Sequence, residues 1–288
     1  MSSQVVTIRV AQPSDAQACG VIAYEAFKDI ATRHGFQPDF PSPEVATGLL
    51  SMFFAHPNFY CLVAEMQGKI LGSNCLDERT IIGGVGPITV DPKTQNKGVG
   101  RMLMDAVRLR AIDAKMAGVR LVQAAYHNRS LSLYTKLGYD AREPLAIMNG
   151  ELKPQAIAGY RVRAVLAGDV AACNELCIGI HGHERGGDLR DGVTSGKAFL
   201  VERSGRLTGY TSGFGFFGHA VAETNEDLQA LIASAAAITG PGILVPTRNA
   251  DLFRWCLNHG LRVIFPGTLM STGLYHEPKG AWLPSILY

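Results

Sequence analysis

The sequence predicts an α/β protein of two tandem domains, each a mixed sheet flanked by helices. Three observations lead to this prediction. The chain has 288 residues, which is more than most single domains contain. Strand-like and helix-like patterns alternate along it. It also carries a weak internal repeat, in which three segments of the first half recur in the same order in the second.

The repeat aligns residues of the same chemical type. It pairs Arg9 with Arg163 and Asp15 with Asp169. The matched segments are 8–19 with 162–173, 60–72 with 197–209, and 128–134 with 249–255. Between the copies, the strand and helix patterns end at residues 149–159, where Gly, Pro and polar residues follow one another. We therefore predict domains at 1–150 and 151–288.

The elements of the first copy follow from its periodicity. A short strand (6–10) precedes helical segments and a hairpin that turns at Gln67 and Gly68. The strand GGVGPITV (83–90) then leads through a loop into a helix, which is followed by a strand (120–125), a short helix and a last strand.

The bulk composition is that of an ordinary soluble protein. Hydrophobic residues make up 47% of the chain, the net charge is +2 and the mean hydropathy is +0.10. Such a balance gives no reason to expect a nucleic acid or an anionic membrane as partner. The N-terminus lacks a signal-peptide pattern, no run reaches the ~20 apolar residues of a membrane span, and the six cysteines lack CxxC spacing. We therefore expect a cytoplasmic protein with reduced thiols.

The segment VDPKTQNKGVGRMLM (90–104) is the most informative motif. From Val99 onward the apolar residues fall on one helical stripe, so the loop opens directly into a helix. Lys97 and Arg101 add positive charge where the helix N-terminus is already positive. Gly98 and Gly100 allow the backbone to approach a ligand closely. This combination predicts an anion site, and phosphate is the natural ligand.

Two other phosphate loops fit less well. The Walker pattern GxxxxGK[ST] is absent from the sequence. The dinucleotide pattern GxGxxG occurs once, as GFGFFG at 213–218, but no clear helix follows it and its aromatic residues suit a strand.

The remaining pattern, Gln95-x-x-Gly98-x-Gly100, resembles the (Q/R)xxGx(G/A) pyrophosphate loop of the GCN5-related N-acetyltransferase (GNAT) superfamily. A second segment, NRSLSLYTKLGY (128–139), resembles the other signature of that family: an Asn at a strand end, then a short helix with a Tyr and a closing LGY. Gly138 suits the left-handed residue that ends such a helix. The two motifs occur in family order and spacing. The resemblance covers residues 7–148, and the rest of the chain only through the repeat.

The resemblance implies a cofactor site and a general acid. Acetyl-CoA would be the cosubstrate, and the backbone of Ile88, Thr89 and Val90 would pair with its pantetheine arm. Asn128 would bind the same arm, and Tyr134 would protonate the departing thiolate; the alternative for Tyr134 is a core aromatic. The pyrophosphate would be held by the N–H groups of Gln95, Asn96, Lys97, Gly98, Val99, Gly100 and Arg101.

The general base is less defined, because GGVGPITV carries no ionisable side chain where many family members have a Glu. Glu78 is our candidate, with Asp77, Glu25 and water relayed to bulk solvent as alternatives; carboxylates in such positions are more often solvated surface groups. His127 is a strand-end residue that could relay a proton. The Pro-rich segment FQPDFPSPE (36–44) is expected to form an apolar wall for the acceptor or a plain surface loop.

The second copy is expected not to bind CoA. Where the repeat would place a second pyrophosphate loop, the chain reads AVAETNEDLQALI (220–232), which has no glycine and has acidic residues that suit a helix N-terminus. This half could shield the first core, mediate dimerisation or shape the acceptor pocket.

Two further features favour packing over chemistry. Cys173, Cys177, His181 and His183 have spacing that could hold a metal, but the repeat places Cys177 and His181 opposite core positions, so we predict no metal site. The tail GAWLPSILY (280–288) is apolar enough to be packed, although its end could enter a site.

The resemblance and the internal repeat together imply a tandem GNAT protein whose first half is an acetyl-CoA-dependent N-acetyltransferase. The resemblance also implies that the acceptor is a small-molecule or peptide amine, and the second half could form a homodimer. The alternative is a non-catalytic acyl-CoA-responsive sensor or scaffolding protein, which would keep the glycine loop without needing Tyr134.

Overall fold

The structure is a computed structural model that describes residues 5–95 and 97–288. The first half follows the predicted order, except that GGVGPITV forms two short strands separated by an irregular stretch. Its elements are β1 (Thr7–Val10), α1 (Ala16–Arg33), α2 (Pro43–Ala55), β2 (Phe59–Met66), β3 (Lys69–Asp77), β4 (Ile82–Val85), β5 (Thr89–Val90), α3 (Val99–Asp113), β6 (Gly118–Ala124), α4 (Asn128–Lys136) and β7 (Asp140–Gly150).

The second half follows the same order, except that the single strand β11 stands where the first half has β4 and β5, and one additional short strand follows at its end. Its elements are β8 (Tyr160–Ala164), α5 (Val170–His181), α6 (Gly186–Thr194), β9 (Phe199–Arg203), β10 (Arg206–Thr211), β11 (Ala220–Ala222), α7 (Asn225–Ala233), β12 (Ile243–Pro246), α8 (Ala250–Asn258), β13 (Leu261–Gly273) and β14 (Ala281–Leu283). The predicted α/β class with two similar halves is confirmed.

The two halves exchange strands. The larger sheet has the order β1-β2-β3-β4-β6-β13-β7-β12, and β5 pairs with β3. The long strand β13 of the second half thus lies between two strands of the first, antiparallel to both β6 and β7. The smaller sheet has the order β14-β11-β10-β9-β8. Because β13 and β12 belong to the larger sheet, the core on which the first half folds includes residues from both halves.

The parallel pair β4 and β6 makes the larger sheet mixed. In the smaller sheet every pair that the structure describes is antiparallel. Strand β11 pairs with β10 on one side and with β14 on the other.

The C-terminal tail packs between the halves. A Cβ placed on Gly84 would come within 2.1 Å of the Leu287 carbonyl oxygen, so the close contact with β4 requires glycine there. The Tyr288 ring lies 3.8 Å from the Arg120 guanidinium and 4.3 Å from that of Arg185, one from each half. These cation–π contacts join the tail to both halves.

All six cysteines are free and buried. Cys173 and Cys177 belong to a buried apolar cluster that includes residues of both halves, and no three His, Cys, Asp or Glu side chains in residues 5–95 and 97–288 are placed to hold a metal ion. None of the helices described is long and apolar enough to cross a membrane.

Candidate active site

A cavity of about 510 Å³ opens where the parallel pair β4 and β6 separates. The two strands are in register from Ile82 opposite Gly118 to Gly84 opposite Arg120. Beyond that point β5 pairs with β3 alone in the described chain, so a gap is left beside β6. The cavity brings together Ile88, Thr89, Val90, Gln95, Gly98, Val99, Gly100, Arg101, Asn128 and Tyr134, all of them predicted site residues.

One wall of the cavity is the N-terminus of α3. Gly98 is the N-cap residue, and its φ of 82° is a left-handed conformation that glycine adopts readily. The first helical hydrogen bond in this turn runs from the Met102 N–H to the Gly98 carbonyl oxygen (3.0 Å). No described side chain caps this end, so the N–H groups of the first turn are available to an anion.

The charged residues that line the cavity are mostly positive. Arg33, Arg101 and Arg129 contribute guanidinium groups, and the one carboxylate of the described lining, Asp29, pairs with Arg33 at 2.9 Å. Arg129 also donates a hydrogen bond to the side-chain oxygen of Gln95. The net positive charge at the uncapped helix end favours a phosphorylated ligand.

Gln95 also connects the loop to the strand before it. Its side-chain nitrogen donates to the Val90 carbonyl oxygen (3.3 Å). The predicted glutamine of the motif therefore lies between β5 and the start of α4, and fixes the loop relative to both walls of the gap.

Tyr134 lies on α4 and contributes to the same cavity. Its side chain is only 7% exposed, and burial raises the pKa of its phenol, so the hydroxyl stays protonated at neutral pH. The helix ends as predicted: Gly138 has φ 87°, and the Tyr139 N–H bonds the Tyr134 carbonyl oxygen (3.0 Å).

His127 also lines the cavity. Burial, with help from the Arg129 charge, lowers its pKa to about 4, so the imidazole is neutral at pH 7. Its Nε2 atom is buried and has no hydrogen-bond partner among the described residues. The ring can therefore exchange one hydrogen bond with a ligand, with the donor or acceptor role set by its tautomer.

Several predicted residues lie elsewhere. Lys97 is exposed beside the cavity, and Asn96 lies outside the described residues. Glu78 is not brought to the cavity: Arg110 donates to both of its oxygens, at 2.6 and 2.7 Å. The prediction of Glu78 as base overlooked this partner, which follows 32 residues later. Asp77 is likewise paired with Arg79, and Glu25 is exposed on α1 without contributing to the cavity.

Helix α1 and the residue after it supply lining residues that the motifs did not indicate. Phe27 and Ile30 of α1 and His34 after it line the cavity, and the Phe27 ring packs edge-on against Phe40 at 5.6 Å. The signal of Phe27 and Ile30 in the sequence is only the apolar stripe of a helix, which does not reveal that this stripe borders a cavity.

The corresponding helix end of the second half is closed by its own side chains. Thr224 caps α7 by accepting a hydrogen bond from the Asp227 N–H (3.2 Å). Asp227 itself is fully buried and accepts hydrogen bonds from Thr208 (2.6 Å) and Arg203 (3.0 Å). The Asp227 carboxylate thus lies in the first turn of α7, whereas the first turn of α3 has N–H groups that are available to a ligand.

The gap beside the equivalent strand is also filled. Val90 of β5 pairs with Gly72, and Ala222 of β11 pairs with Gly209; the repeat equates these two glycines. The other edge of β11 pairs with β14, with Trp282 opposite Val221. Strand β14 therefore fills the position beside β11, whereas the equivalent position beside Thr89 of β5 is open in the first half.

Comparisons with known proteins agree with this geometry. Residues 57–141 match the family model of the acetyltransferase (GNAT) domain. A protein from Pyrococcus horikoshii that is assigned as an acetyltransferase is 17% identical with a TM-score of 0.74, over 100% of this chain and 94% of that one. A GCN5-related N-acetyltransferase from Sphaerobacter thermophilus is 15% identical with a TM-score of 0.61, over 94% and 96%.

A third similar structure is the tandem GNAT protein of the clavulanic acid biosynthesis pathway, which is 12% identical with a TM-score of 0.55, over 93% of this chain and 98% of that one. No curated protein matches the sequence. The chain thus has the tandem GNAT fold. The match to the GNAT-domain model lies within the first half of the chain.

Proposed function

We propose that the first half of the chain transfers an acetyl group from acetyl-CoA directly to an amine. One observation carries the proposal: a single cavity is bounded by an uncapped, positively charged helix N-terminus, by an unpaired strand edge and by the Tyr134 phenol. These three features suit, in turn, a pyrophosphate, an amide-containing chain and a leaving thiolate.

The residues present fit acetyl-CoA. The backbone N–H groups from Gly98 to Arg101 would hold the pyrophosphate, with Arg129 beside them and Lys97 at the exposed rim. The free edge of β5 would pair with the pantetheine amides, and the Asn128 side chain would bind the same arm. Asn96 remains a predicted contact of the pyrophosphate.

Tyr134 is assigned the role of general acid. Since burial raises the pKa of its phenol, Tyr134 holds its proton until the carbon–sulfur bond breaks and a thiolate becomes available to receive it. Glu78 is not retained as the base, because its carboxylate is engaged by Arg110.

The proposal is tested by incubating the protein with acetyl-CoA and a panel of amines that includes alkylamines, arylalkylamines, polyamines and lysine peptides. Release of CoA thiol and an acetylated product in the mass spectrum are expected for at least one acceptor. Binding of acetyl-CoA without thiol release on the whole panel would instead favour the non-catalytic sensor or scaffold.

A further inference from the structure

A second cavity, of about 560 Å³, lies between the two halves of the chain. No described residue lines both this cavity and the first one. The first half contributes the end of α2 together with Phe59 and Arg79, and the second half contributes α6 and the segments that follow α6 and β10. The volume is within the range of roughly 300–1,000 Å³ that small-molecule sites occupy.

Aromatic rings from both halves line this second cavity. In the first half, Phe53 and Phe59 are stacked, with 4.5 Å between their ring centroids. Phe217 of the second half packs edge-on against Phe53 at 5.9 Å, and Phe199 stacks with Phe214 at 5.8 Å. All five rings belong to the lining. Phe217 is nevertheless 41% exposed, so its ring offers apolar surface to a ligand.

The glycine-rich segment GFGFFG (213–218) supplies two of these rings. Gly215 has a φ of 151°, and a Cβ there would overlap Thr239. A Cβ on Gly218 would overlap the Gly213 carbonyl oxygen. These glycines therefore allow the loop to close on itself. Strand β11 follows the loop, so the segment does not open into a helix N-terminus as a dinucleotide loop does.

Most charged groups of the lining are paired with one another. Arg79 of the first half contacts Asp188 and Asp191 of the second half, each at 2.7 Å. The Arg79 guanidinium also lies 5.0 Å from the centroid of the Phe59 ring, and His56 lies 3.4 Å from Asp191. These contacts join the two halves and leave no unpaired carboxylate in the described lining.

Lys197 is different from these paired groups. It is exposed and lines the cavity, and the described carboxylates of the lining pair with Arg79 instead. The cavity thus combines aromatic walls with one positive charge that is available to a ligand. Aromatic rings stack favourably on other rings, and a cation favours an anionic group. The lining is therefore complementary to a molecule with an aromatic body and one carboxylate.

We infer that this second cavity binds an aromatic monocarboxylate, with its ring system among the phenylalanine side chains of the two halves and its carboxylate at Lys197. Because the ligand contacts both halves of the folded chain, binding should stabilise the protein against unfolding. The two cavities share no described lining residue, so binding needs neither acetyl-CoA nor acetyl transfer.

The test measures the binding of naphthaleneacetate by titration calorimetry, with naphthaleneethanol as a neutral analogue that has the same ring system. We expect one site per chain and tighter binding of the acid than of the alcohol. Lys197→Glu should weaken binding of the acid by about 10-fold, because it replaces an exposed ion pair with a repulsion, and should leave binding of the alcohol unchanged. Phe217→Ala should weaken binding of both by about 10-fold, because it removes an aromatic contact.

Each variant has a matched control in the second half. Lys153→Glu makes the same charge reversal at an exposed lysine that lines neither cavity. Leu257→Ala truncates an apolar side chain of α8 that is 45% exposed and likewise lies outside both linings. Both control variants should bind the acid as wild type does.

A third variant distinguishes the two cavities. Gly100→Val changes a residue of the first cavity only, so its affinity for the acid should equal that of wild type. Loss of binding in Gly100→Val would place the probe in the first cavity and overturn the inference. Absence of binding to wild type would also overturn it, as would equal affinity for the acid in wild type and Lys197→Glu. Because Lys197 is exposed, this last comparison does not depend on a core substitution.

Discussion

Arg9 and Asp15 form a bidentate ion pair, with 2.7 and 2.9 Å between their nitrogen and oxygen atoms. Arg163 and Asp169 form the same pair at the same two distances. In each copy the carboxylate also accepts a backbone N–H three residues earlier, at 2.8 Å. The sequence repeat is thus a repeat of a local structure that fixes the first strand of each half to its first helix.

This pair should make stability depend on pH. Arg163 lowers the pKa of Asp169 to about 2 from its usual 3.8, so the pair stabilises the fold above pH 4 and is lost as the pH falls toward 2. We expect Asp169→Asn to cost about 1–3 kcal/mol at pH 7, toward the low end because the side chain is 21% exposed. Urea unfolding of wild type and variant from pH 7 to 2 measures it. A difference that is constant over this range would contradict the assignment.

A side chain at Gly100 should block the cofactor. The Cβ of a substituted residue would lie 3.7 Å from Val90 and 3.9 Å from Leu133, which is ordinary contact, so Gly100→Val is expected to fold. The branched side chain would nevertheless project into the cavity. Acetyl-CoA at ~100 times its Kd should stabilise wild type by about 2.7 kcal/mol, and the variant should lose this gain in a thermal melt.

The control for this variant is Gly48→Val, the same change on the exposed face of α2, where nothing lies within 4 Å of the added Cβ. It should respond to acetyl-CoA as wild type does. A normal response from Gly100→Val would mean that the loop is not the pyrophosphate site.

One CoA should bind per chain. At the equivalent position of the second half, Thr224 and Asp227 occupy the N-terminus of α7, and β14 pairs with the edge of β11. Calorimetric titration should give one site, and Gly100→Val should abolish it. Two equivalent sites, or one that persists in Gly100→Val, would show that the second half binds the cofactor.

The local parts of the site could be predicted from the sequence, whereas its long-range parts could not. Gly98, Gly100 and Tyr134 are parts of short motifs whose geometry is set by neighbours in the chain. The insertion of β13 between β6 and β7 depends on pairing between residues more than a hundred positions apart. The same limit applies to Glu78, whose partner Arg110 is placed by the packing of α3.

The stretch GGVGPITV is a second case in which a long-range contact decides the local structure. It has the composition of one strand, and the structure divides it into β4 and β5. Leu287, at the far end of the chain, packs against Gly84 and Gly86 at this break. No local pattern could indicate that the tail supports the point where the cavity opens.

The last prediction separates an enzyme from a sensor through Tyr134. Tyr134→Phe removes one hydroxyl and keeps the ring in the buried cluster of α3 and α4, so stability and acetyl-CoA affinity should change little. If the phenol protonates the leaving thiolate, kcat should fall by about 10²–10⁴-fold. Tyr139→Phe is the matched control, because its ring belongs to the same cluster but is not among the residues that line the cavity. Thiol release by all three proteins should be measured on the best acceptor of the panel. Equal kcat in wild type and Tyr134→Phe would remove the phenol from the mechanism, since a sensor needs the ring for packing but has no use for the hydroxyl as an acid.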